Sequence, residues 1–178
     1  MPLTGHLKEI REKVGHDLLV LPSCLVAIFD DSGRILCGLH SDRNIWVLPG
    51  GLIEPLELPS DGAVREVWEE TGLIVELTRL LGVFGGEQHL VTYRNGDRAS
   101  YVTVIFTARV IGGELHADGK EILDARYLSR AELELLPHAR WLDSAIPILF
   151  SPPVNAYFQP STLKINSDTI VDRQTKTQ

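Results

Sequence analysis

One short segment contains an arginine and three glutamates, and the spacing of the three carboxylates could hold a divalent cation. In order, these residues are Arg65, Glu66, Glu69 and Glu70. If the segment is helical, Glu66, Glu69 and Glu70 share one face, because positions i, i+3 and i+4 are neighbours on a helix. Magnesium prefers oxygen ligands in octahedral array and keeps waters or phosphate oxygens among them. The spacing is therefore compatible with a magnesium site.

A solvated acidic surface is the alternative interpretation of the same segment. Exposed like-charged pairs at this spacing cost only roughly 0.2–0.5 kcal/mol each, so energy alone does not exclude it. The other side of the helix is apolar, and we expect it to dock against a core. The residues predicted to lie on that side are Ala63, Val64, Val67 and Trp68. Ser60 and Asp61 are both suitable N-cap residues.

The residues that flank this segment extend it into a longer pattern. Gly51 is followed after five residues by Glu57, and seven residues later by Arg65-Glu66-Val-x-Glu69-Glu70-x-Gly72-Leu73. This run matches the Nudix box in full, so the chain resembles the Nudix hydrolase family. The wider resemblance runs from about position 20 to 150. It implies an α/β (α+β) fold, namely an α/β/α sandwich with a mixed β-sheet.

The resemblance also implies roles for the acidic residues. Glu69 and Glu70 are the first choices as metal ligands, with the carbonyl of Gly50 or Gly51 nearby. Glu66 is either a third ligand or the base that deprotonates the attacking water. The implied cofactor is Mg²⁺, with Mn²⁺ as a substitute.

Four further residues receive roles from the same resemblance. Arg65 is expected to orient one of the carboxylates through a bidentate contact. Glu57 is expected to hold its loop against the helix, and Gly72 is a structural member of the motif. Glu121 matches a downstream acidic residue that supplies a ligand or base in some relatives, and a surface loop residue is the competing interpretation.

The chain departs from the usual family pattern at a few positions. Leu56 stands where glycine is common, which predicts strain if that position needs φ > 0. Gly62 replaces a common alanine at a helical cost of about 1 kcal/mol. Relatives often carry arginines at positions 39 and 40, where this chain has Leu and His. The substitutes for a phosphate contact are Arg43, Arg94, Arg98 and Arg126.

The sequence constrains the substrate only loosely. Arg43, Trp46 and Tyr93 are candidate substrate-binding residues, and Phe84 or Tyr101 could also stack on a base, although each of these aromatic residues is more often a core residue. The proline that marks ADP-ribose hydrolases of the family is absent from residues 73–96. We therefore favour a nucleoside triphosphate or nucleotide sugar as the small phosphorylated substrate. The alternatives are 5′-end processing of RNA and a nucleotide sensor without catalysis.

Composition narrows the class of protein. The 178 residues carry a formal net charge of −7, which argues against binding to DNA or anionic membrane. No apolar run approaches membrane-spanning length, and the amino terminus lacks the apolar core of a signal peptide, so a cytoplasmic protein is expected. Cys24 and Cys37 have no metal or redox spacing and are expected to be buried thiols. His89 is expected to be a solvated loop residue.

The order of elements predicts one domain over residues 1–150, which the resemblance implies is a Nudix domain, with a short N-terminal helix within 1–17. Residues 18–29 and 34–39 are predicted to form a β-hairpin, and the Asn95-Gly96 pair marks a second tight turn. Ser129 and Glu132 predict a capping box. Residues 151–178 are predicted to form an extended C-terminal arm, which could support a homodimer.

Overall fold

The computed structural model describes residues 5–162, and the statements below concern that range. The helices are α1 (Gly5–Val14), α2 (Pro59–Thr71), α3 (Arg130–Leu135) and α4 (Leu142–Phe150), with a 3₁₀ turn at Glu87–His89. The strands are β1 (Leu18–Ile28), β2 (Ile35–His40), β3 (Ile45–Val47), β4 (Gly50–Leu52), β5 (Leu73–Phe84), β6 (Leu90–Thr92), β7 (Arg98–Gly113), β8 (Ile122–Leu128) and β9 (Tyr157–Phe158).

The strands form two sheets with helices on both sides. The larger sheet is mixed, in the order β4-β1-β7-β5-β9 with β6 beside β7, and the smaller has the order β3-β2-β8. One apolar core lies between α2 and the larger sheet, and the other joins that sheet to the smaller sheet, α3 and α4. The predicted α/β/α sandwich with a mixed sheet is confirmed.

The predicted hairpin of β1 and β2 is wrong as a pairing. Its turn forms, because Gly33 N–H donates to the Asp30 carbonyl and Asp30 N–H donates to the Arg34 carbonyl, each at 2.9 Å. Beyond one bridge between Phe29 and Ile35, however, the strands enter different sheets. β1 pairs in parallel with β7 over its whole length, and β2 pairs with β3 and β8. Long-range partners therefore override the local turn signal.

Several local predictions are confirmed. α1 ends before Gly15, which has φ 62° and donates its N–H to the Arg11 carbonyl. The Asn95-Gly96 turn joins β6 to β7. Ser129 and Glu132 form the capping box of α3. The two thiols are fully buried, which raises the pKa of each to about 12.

Part of the predicted C-terminal arm adds a strand to the larger sheet. β9 pairs in parallel with Gly82 and Val83 of β5. A side chain at position 82 would collide with the Tyr157 carbonyl, so glycine permits this close approach. Residues 163–178 lie outside the described range. The domain boundary at 150 and the homodimer stay predictions.

The loop before α2 carries a strained residue. Leu56 has φ 67°, and its side chain is fully exposed. α2 then begins at Pro59 with Leu58 as N-cap, so the prediction of Ser60 or Asp61 is wrong. Proline is suited to this first helical position because it has no N–H that would lack a partner.

Replacing Leu56 by glycine is expected to raise the free energy of unfolding by about 0.5–1 kcal/mol. Left-handed backbone costs an L-residue about 1–2 kcal/mol, which exceeds the entropy that glycine loses on folding. The exposed leucine side chain has no packing to lose. Urea denaturation measures the change. Asn44→Gly is the matched control at φ 54°, where a smaller gain is expected because asparagine tolerates this conformation. An equal gain at both positions, or none at Leu56, would contradict the interpretation.

Candidate functional site

β4 brings a glycine pair against the acidic residues of α2. Gly50 N–H donates to Glu70 Oε2 at 2.9 Å. A Cβ atom on Gly51 would lie 2.7 Å from the Glu66 carboxylate. Gly50 itself has φ 136° and no room for a side chain against β1. The main chain of this pair therefore passes close to two carboxylates, which only glycine permits.

Glu70 is the buried member of the acidic group, with 6% of its surface exposed. Burial raises the pKa of Glu70 well above its ordinary value, and the negative charges of Glu66, Glu121 and Asp118 raise it further. The Gly50 N–H opposes this effect. The pKa values of Glu66 and Glu121 are also raised, chiefly by burial. A group of mutually repelling carboxylates therefore surrounds one end of α2.

The placement of Glu70 follows from the angular order of residues on α2. The buried positions include Ala63, Val67, Glu70 and Thr71. Successive residues are 100° apart around the helix axis, so Glu70 lies near the centre of this buried arc and Trp68 lies on the exposed side. Trp68 is accordingly 59% exposed, so the prediction that it docks on the core is wrong. Ala63 and Val67 are fully buried as predicted.

Arg65 holds the acidic residues in place with all five of its N–H groups. Nε and Nη2 donate to the two oxygens of Glu57 at 2.8 and 3.0 Å. Nη1 donates to Glu66 Oε1 at 2.8 Å and to Glu69 Oε2 at 3.1 Å. Nη2 also donates to the Leu52 carbonyl at 3.1 Å. One guanidinium thus joins β4, the following loop and two positions of the helix face.

Glu57 lies between the loop and the helix. Its Oε2 accepts from Glu54 N–H at 2.9 Å, in addition to the two bonds from Arg65. The Arg65 contact lowers the pKa of Glu57 below its ordinary value. A Cβ atom on Gly62 would lie 2.8 Å from Glu57 Oε2. This approach is the physical reason for glycine at a helical position where alanine would have the better propensity.

The donor chemistry of the site fits a hard cation, although its side chains do not converge on one point. Among residues 5–162, no group of three or more His, Cys, Asp or Glu side chains is arranged so that it could hold a metal ion. Glu66 and Glu69 instead contact Arg65, and the Glu69 side chain is about half exposed. The side chains grouped here offer oxygen ligands, and no described residue forms an ion pair with the buried Glu70 carboxylate, which accepts a hydrogen bond from Gly50 N–H.

A cavity of about 260 Å³ lies between the N-terminal helix, the loop that carries Arg43 and the turn that joins β6 to β7. Its lining contains two of the predicted substrate-binding residues, Arg43 and Tyr93, together with Arg94 and Tyr101. The hydroxyls of Tyr93 and Tyr101 are hydrogen-bonded to each other. Ser41 N–H donates to the Glu121 carbonyl at 2.8 Å, which ties the loop carrying Arg43 to the acidic group.

Helix α1 forms one wall of this cavity through Leu7 and Arg11. Arg11 is 8% exposed and donates to the carbonyls of Asp17 and Arg98, each at 2.7 Å. Its Nε lies 3.7 Å from Asp97 Oδ2 and makes no hydrogen bond with a described residue. The sequence predicted only that α1 is amphipathic, and it did not predict that Arg11 lines a cavity. The available signal was an arginine on the inner face of a short helix.

Trp46 and Phe84 lie in the core, as is usual for such aromatic residues, whereas the expectation of a solvated His89 is wrong. Trp46 is 3% exposed in the core, and the Arg126 guanidinium lies 4.5 Å from the centre of its ring, so it has little surface for a nucleotide base. Phe84 is likewise buried. His89 is buried rather than solvated and stacks on Trp141, with ring centres 5.8 Å apart. Burial lowers the pKa of His89, which favours the neutral imidazole.

Comparison with known proteins identifies the family. The NUDIX domain model matches residues 20–148. A MutT-like protein of Streptomyces ambofaciens is 40% identical over 83 residues, 47% of each chain. The ADP-ribose pyrophosphatase of Methanocaldococcus jannaschii is 38% identical over 81 residues, 44% of each chain. These matches span about half the length of the two curated relatives.

A solved structure supports the same fold. A UDP-X diphosphatase superposes with a TM-score of 0.60 at 22% identity, covering 82% of this chain and 68% of that protein. Because the family model covers most of the chain, the protein belongs to the Nudix family, whose members are hydrolases of phosphoric anhydride bonds that generally use divalent metal ions. In the part of the chain that the structure describes, no helix has the length and apolar character needed to cross a bilayer.

Proposed function

We propose that this chain is a magnesium-dependent pyrophosphohydrolase that cleaves the diphosphate linkage of a nucleoside diphosphate joined to another group. The observation that carries the proposal is the buried Glu70 carboxylate, held by the Gly50 N–H beside Glu66 and Gly51. An uncompensated buried carboxylate is unfavourable unless it binds a proton or a cation. The charged side chains that act on it most strongly, Glu66, Glu121 and Asp118, are further carboxylates.

The residues that would hold Mg²⁺ are Glu69, Glu70 and Glu66, with the carbonyl of Gly50 or Gly51. When bound, a divalent cation neutralises the charge of the diphosphate and lowers the pKa of water. Arg65 keeps Glu66 and Glu69 oriented on the helix face through its shared Nη1. Glu69 is the most exposed of the three, and its second carboxylate oxygen, which Arg65 does not contact, is the one offered to the cation.

Two carboxylates are suited to accept the proton of the attacking water. Burial raises the pKa values of both Glu66 and Glu121, which moves them toward the pH at which a general base works best. Glu66 is restrained by Arg65, whereas no described side chain donates a hydrogen bond to Glu121. Both therefore stay candidates for the base, and Glu66 stays a candidate ligand as well.

The cavity that contains Arg43 and Tyr93 is the proposed nucleoside site. Tyr93 and Tyr101 supply aromatic surface, and the exposed Arg43 supplies positive charge. A cavity of this kind, mainly apolar with a few polar groups, is typical of small-molecule binding. The named activity of the Methanocaldococcus relative supports a nucleotide sugar, and a nucleoside triphosphate is the other favoured substrate.

A hydrolysis panel tests the proposal directly. The purified chain is incubated with nucleoside triphosphates, nucleotide sugars and 5′-triphosphorylated RNA, each with Mg²⁺, with Mn²⁺ and with EDTA. We expect cation-dependent release of a nucleoside monophosphate from at least one small substrate and none with EDTA. Turnover of the RNA alone would favour 5′-end processing. Nucleotide binding without turnover of any substrate would favour the sensor and overturn the proposal.

A further inference from the structure

Helix α1 is joined to the cavity that contains Tyr93 by one buried arginine. The helix ends at Val14, outside the residues 20–148 that the NUDIX domain model matches. Membership of the family therefore gives α1 no role. Arg11 nevertheless lines the cavity, and only 8% of its surface is exposed. Because arginine is seldom buried unless its charge is paired, the contacts of this side chain show what the helix does.

The guanidinium of Arg11 holds the end of α1 against the start of β7. Nη1 donates to the carbonyls of Gly15 and Asp17 at 3.1 and 2.7 Å. Nη2 donates to the Arg98 carbonyl at 2.7 Å. Hydrogen bonds from a charged donor are stronger than those between neutral groups. Arg11 therefore sets the position of α1 relative to the strand that follows the β6–β7 turn.

Asp97 is the buried acidic partner of Arg11, with 6% of its surface exposed. Its two carboxylate oxygens accept from His16 Nδ1 at 2.7 Å and from Asn95 Nδ2 at 2.8 Å. Arg11 Nε lies 3.7 Å from Asp97 Oδ2 and has no hydrogen-bond partner in the part of the chain that the structure describes. A movement of less than about 1 Å would complete a hydrogen bond between them.

Asp97 also determines the conformation of the turn that carries Tyr93. Asp97 N–H donates to Asn95 Oδ1 at 3.1 Å, and Tyr93 N–H donates to the Asp97 carbonyl at 2.9 Å. Gly96 N–H donates to the Tyr93 carbonyl at 3.0 Å. The hydroxyl of Tyr93 is hydrogen-bonded to that of Tyr101 on β7. A displacement of Asp97 is therefore transmitted to Tyr93 through the main chain.

A salt bridge that only stabilises the fold is the alternative role of Arg11. Two observations favour a role in the cavity. Asn95 and Asp97, through which Arg11 reaches Tyr93, line the same cavity as Arg11 itself. The contact between Arg11 and Asp97 is also incomplete, whereas stability alone would favour a closed pair, because a buried donor without a partner is unfavourable.

We infer that Arg11 is a positioning residue of the nucleoside site, which holds Tyr93 in place through Asp97 and makes α1 part of the substrate-binding surface. This inference rests on the proposed function and assigns to its substrate site a residue outside the matched domain. The nucleoside packs on the Tyr93 ring, and its binding favours the closed Arg11–Asp97 pair. Arg11 takes no part in the hydrolytic step, which occurs at the carboxylates of α2.

The first experiment compares Arg11→Met with the native chain. Methionine keeps an unbranched apolar side chain but removes every N–H donor of the guanidinium. We expect KM for the best nucleotide of the hydrolysis panel to rise about tenfold, with kcat changed by less than about twofold. The Mg²⁺ concentration for half-maximal rate should stay the same. Calorimetry with AMP, GMP, CMP and UMP in EDTA should show an equal loss of affinity for the monophosphate that binds best.

A double-mutant cycle tests whether Arg11 acts through Tyr93. Arg11→Met should weaken monophosphate binding about tenfold in the native background but less than about twofold in Tyr93→Ala, because the ring that Arg11 positions is then absent. A salt bridge that only stabilises the fold would lower the affinity by the same factor in both backgrounds. Equal factors would therefore overturn the inference.

Arg34→Met is the matched control, because Arg34 also pairs with an aspartate, Asp30, at 2.7 Å but does not line the cavity. It should leave KM and monophosphate binding unchanged. Thermal melting checks the fold of each variant, and Arg11→Lys takes the place of Arg11→Met if the latter does not fold. An unchanged KM in a folded Arg11 variant would overturn the inference while the proposed function stands. A native chain that neither binds nor cleaves a nucleotide would end both proposals.

Discussion

Replacing Glu70 by glutamine is expected to lower magnesium-dependent kcat by at least about 100-fold while the fold is retained. Loss of one anionic ligand weakens the stabilisation of transition-state charge by several kcal/mol, and each 1.36 kcal/mol is a factor of ten. Glutamine has nearly the same shape, and its carbonyl oxygen can still accept the Gly50 N–H. Phosphate release under saturating Mg²⁺ measures the effect.

The same substitution is expected to raise the stability of the cation-free protein. Burial raises the pKa of Glu70, so the folded state binds a proton more tightly than the unfolded state. The free energy of unfolding therefore falls as pH rises above the ordinary carboxyl range. Glutamine cannot ionise, so the Glu70→Gln protein does not lose this part of its stability as pH rises. Urea denaturation in EDTA between pH 5 and 8 should show a weaker pH dependence in Glu70→Gln than in the native chain.

With Mg²⁺ bound, the native chain should become more stable than Glu70→Gln. At a tenfold excess over Kd, a cation stabilises the native chain by about 1.4 kcal/mol, and it should stabilise Glu70→Gln much less. Glu132→Gln, at an exposed carboxylate on α3, is the control that should leave activity and the response to Mg²⁺ unchanged. Full turnover in Glu70→Gln, or equal stabilisation of both proteins by Mg²⁺, would refute the assignment of Glu70 as a ligand.

Replacing Arg65 by lysine is expected to reduce both stability and activity although the charge is kept. Lysine has one nitrogen and cannot reproduce five N–H groups in a plane. The bidentate contact with Glu57 and the shared contact with Glu66 and Glu69 cannot both persist. We expect the free energy of unfolding to fall by about 1–3 kcal/mol, as for the loss of hydrogen bonds to charged groups.

The loss of activity in Arg65→Lys should show whether Arg65 orients the proposed metal ligands Glu66 and Glu69. Partners that hold metal ligands in place typically contribute 10–100-fold in metal affinity or activity, so a fall of about that size is expected in kcat/KM. The Mg²⁺ concentration for half-maximal rate should rise as well, which a purely structural salt bridge would not produce. Arg109→Lys alters an exposed pair with Glu76 and should change stability by less than about 1 kcal/mol. An unchanged magnesium requirement in Arg65→Lys would exclude the orienting role.

The spacing of the Nudix box was sufficient to predict the family, the fold class and the grouping of the carboxylates. Fixed intervals from Gly51 to Gly72 determine which side chains share a helix face, and this depends on local geometry alone. The turn at Asn95-Gly96 and the capping box at Ser129 were predictable for the same reason. The predicted cost of Leu56 also follows from local backbone conformation.

The tertiary structure decided which side chains on that helix are buried. Helical periodicity predicts neighbours, but the packing of α2 on β1 and β5 sets the rotation of the helix about its axis. That rotation buries Glu70 and exposes Trp68, contrary to the apolar pattern. The burial of His89 was likewise misjudged, because burial depends on strands and helices distant in sequence.

The acidic site and the nucleoside cavity differ in how much of them the sequence alone determines. By itself, the sequence determined the acidic helix, the glycine pair before it and the chemistry that they imply, since these lie within 23 consecutive residues. Only the tertiary structure placed Arg11 with Tyr93 in one cavity. These two residues belong to segments that are far apart in sequence, and chain packing rather than local spacing brings them together.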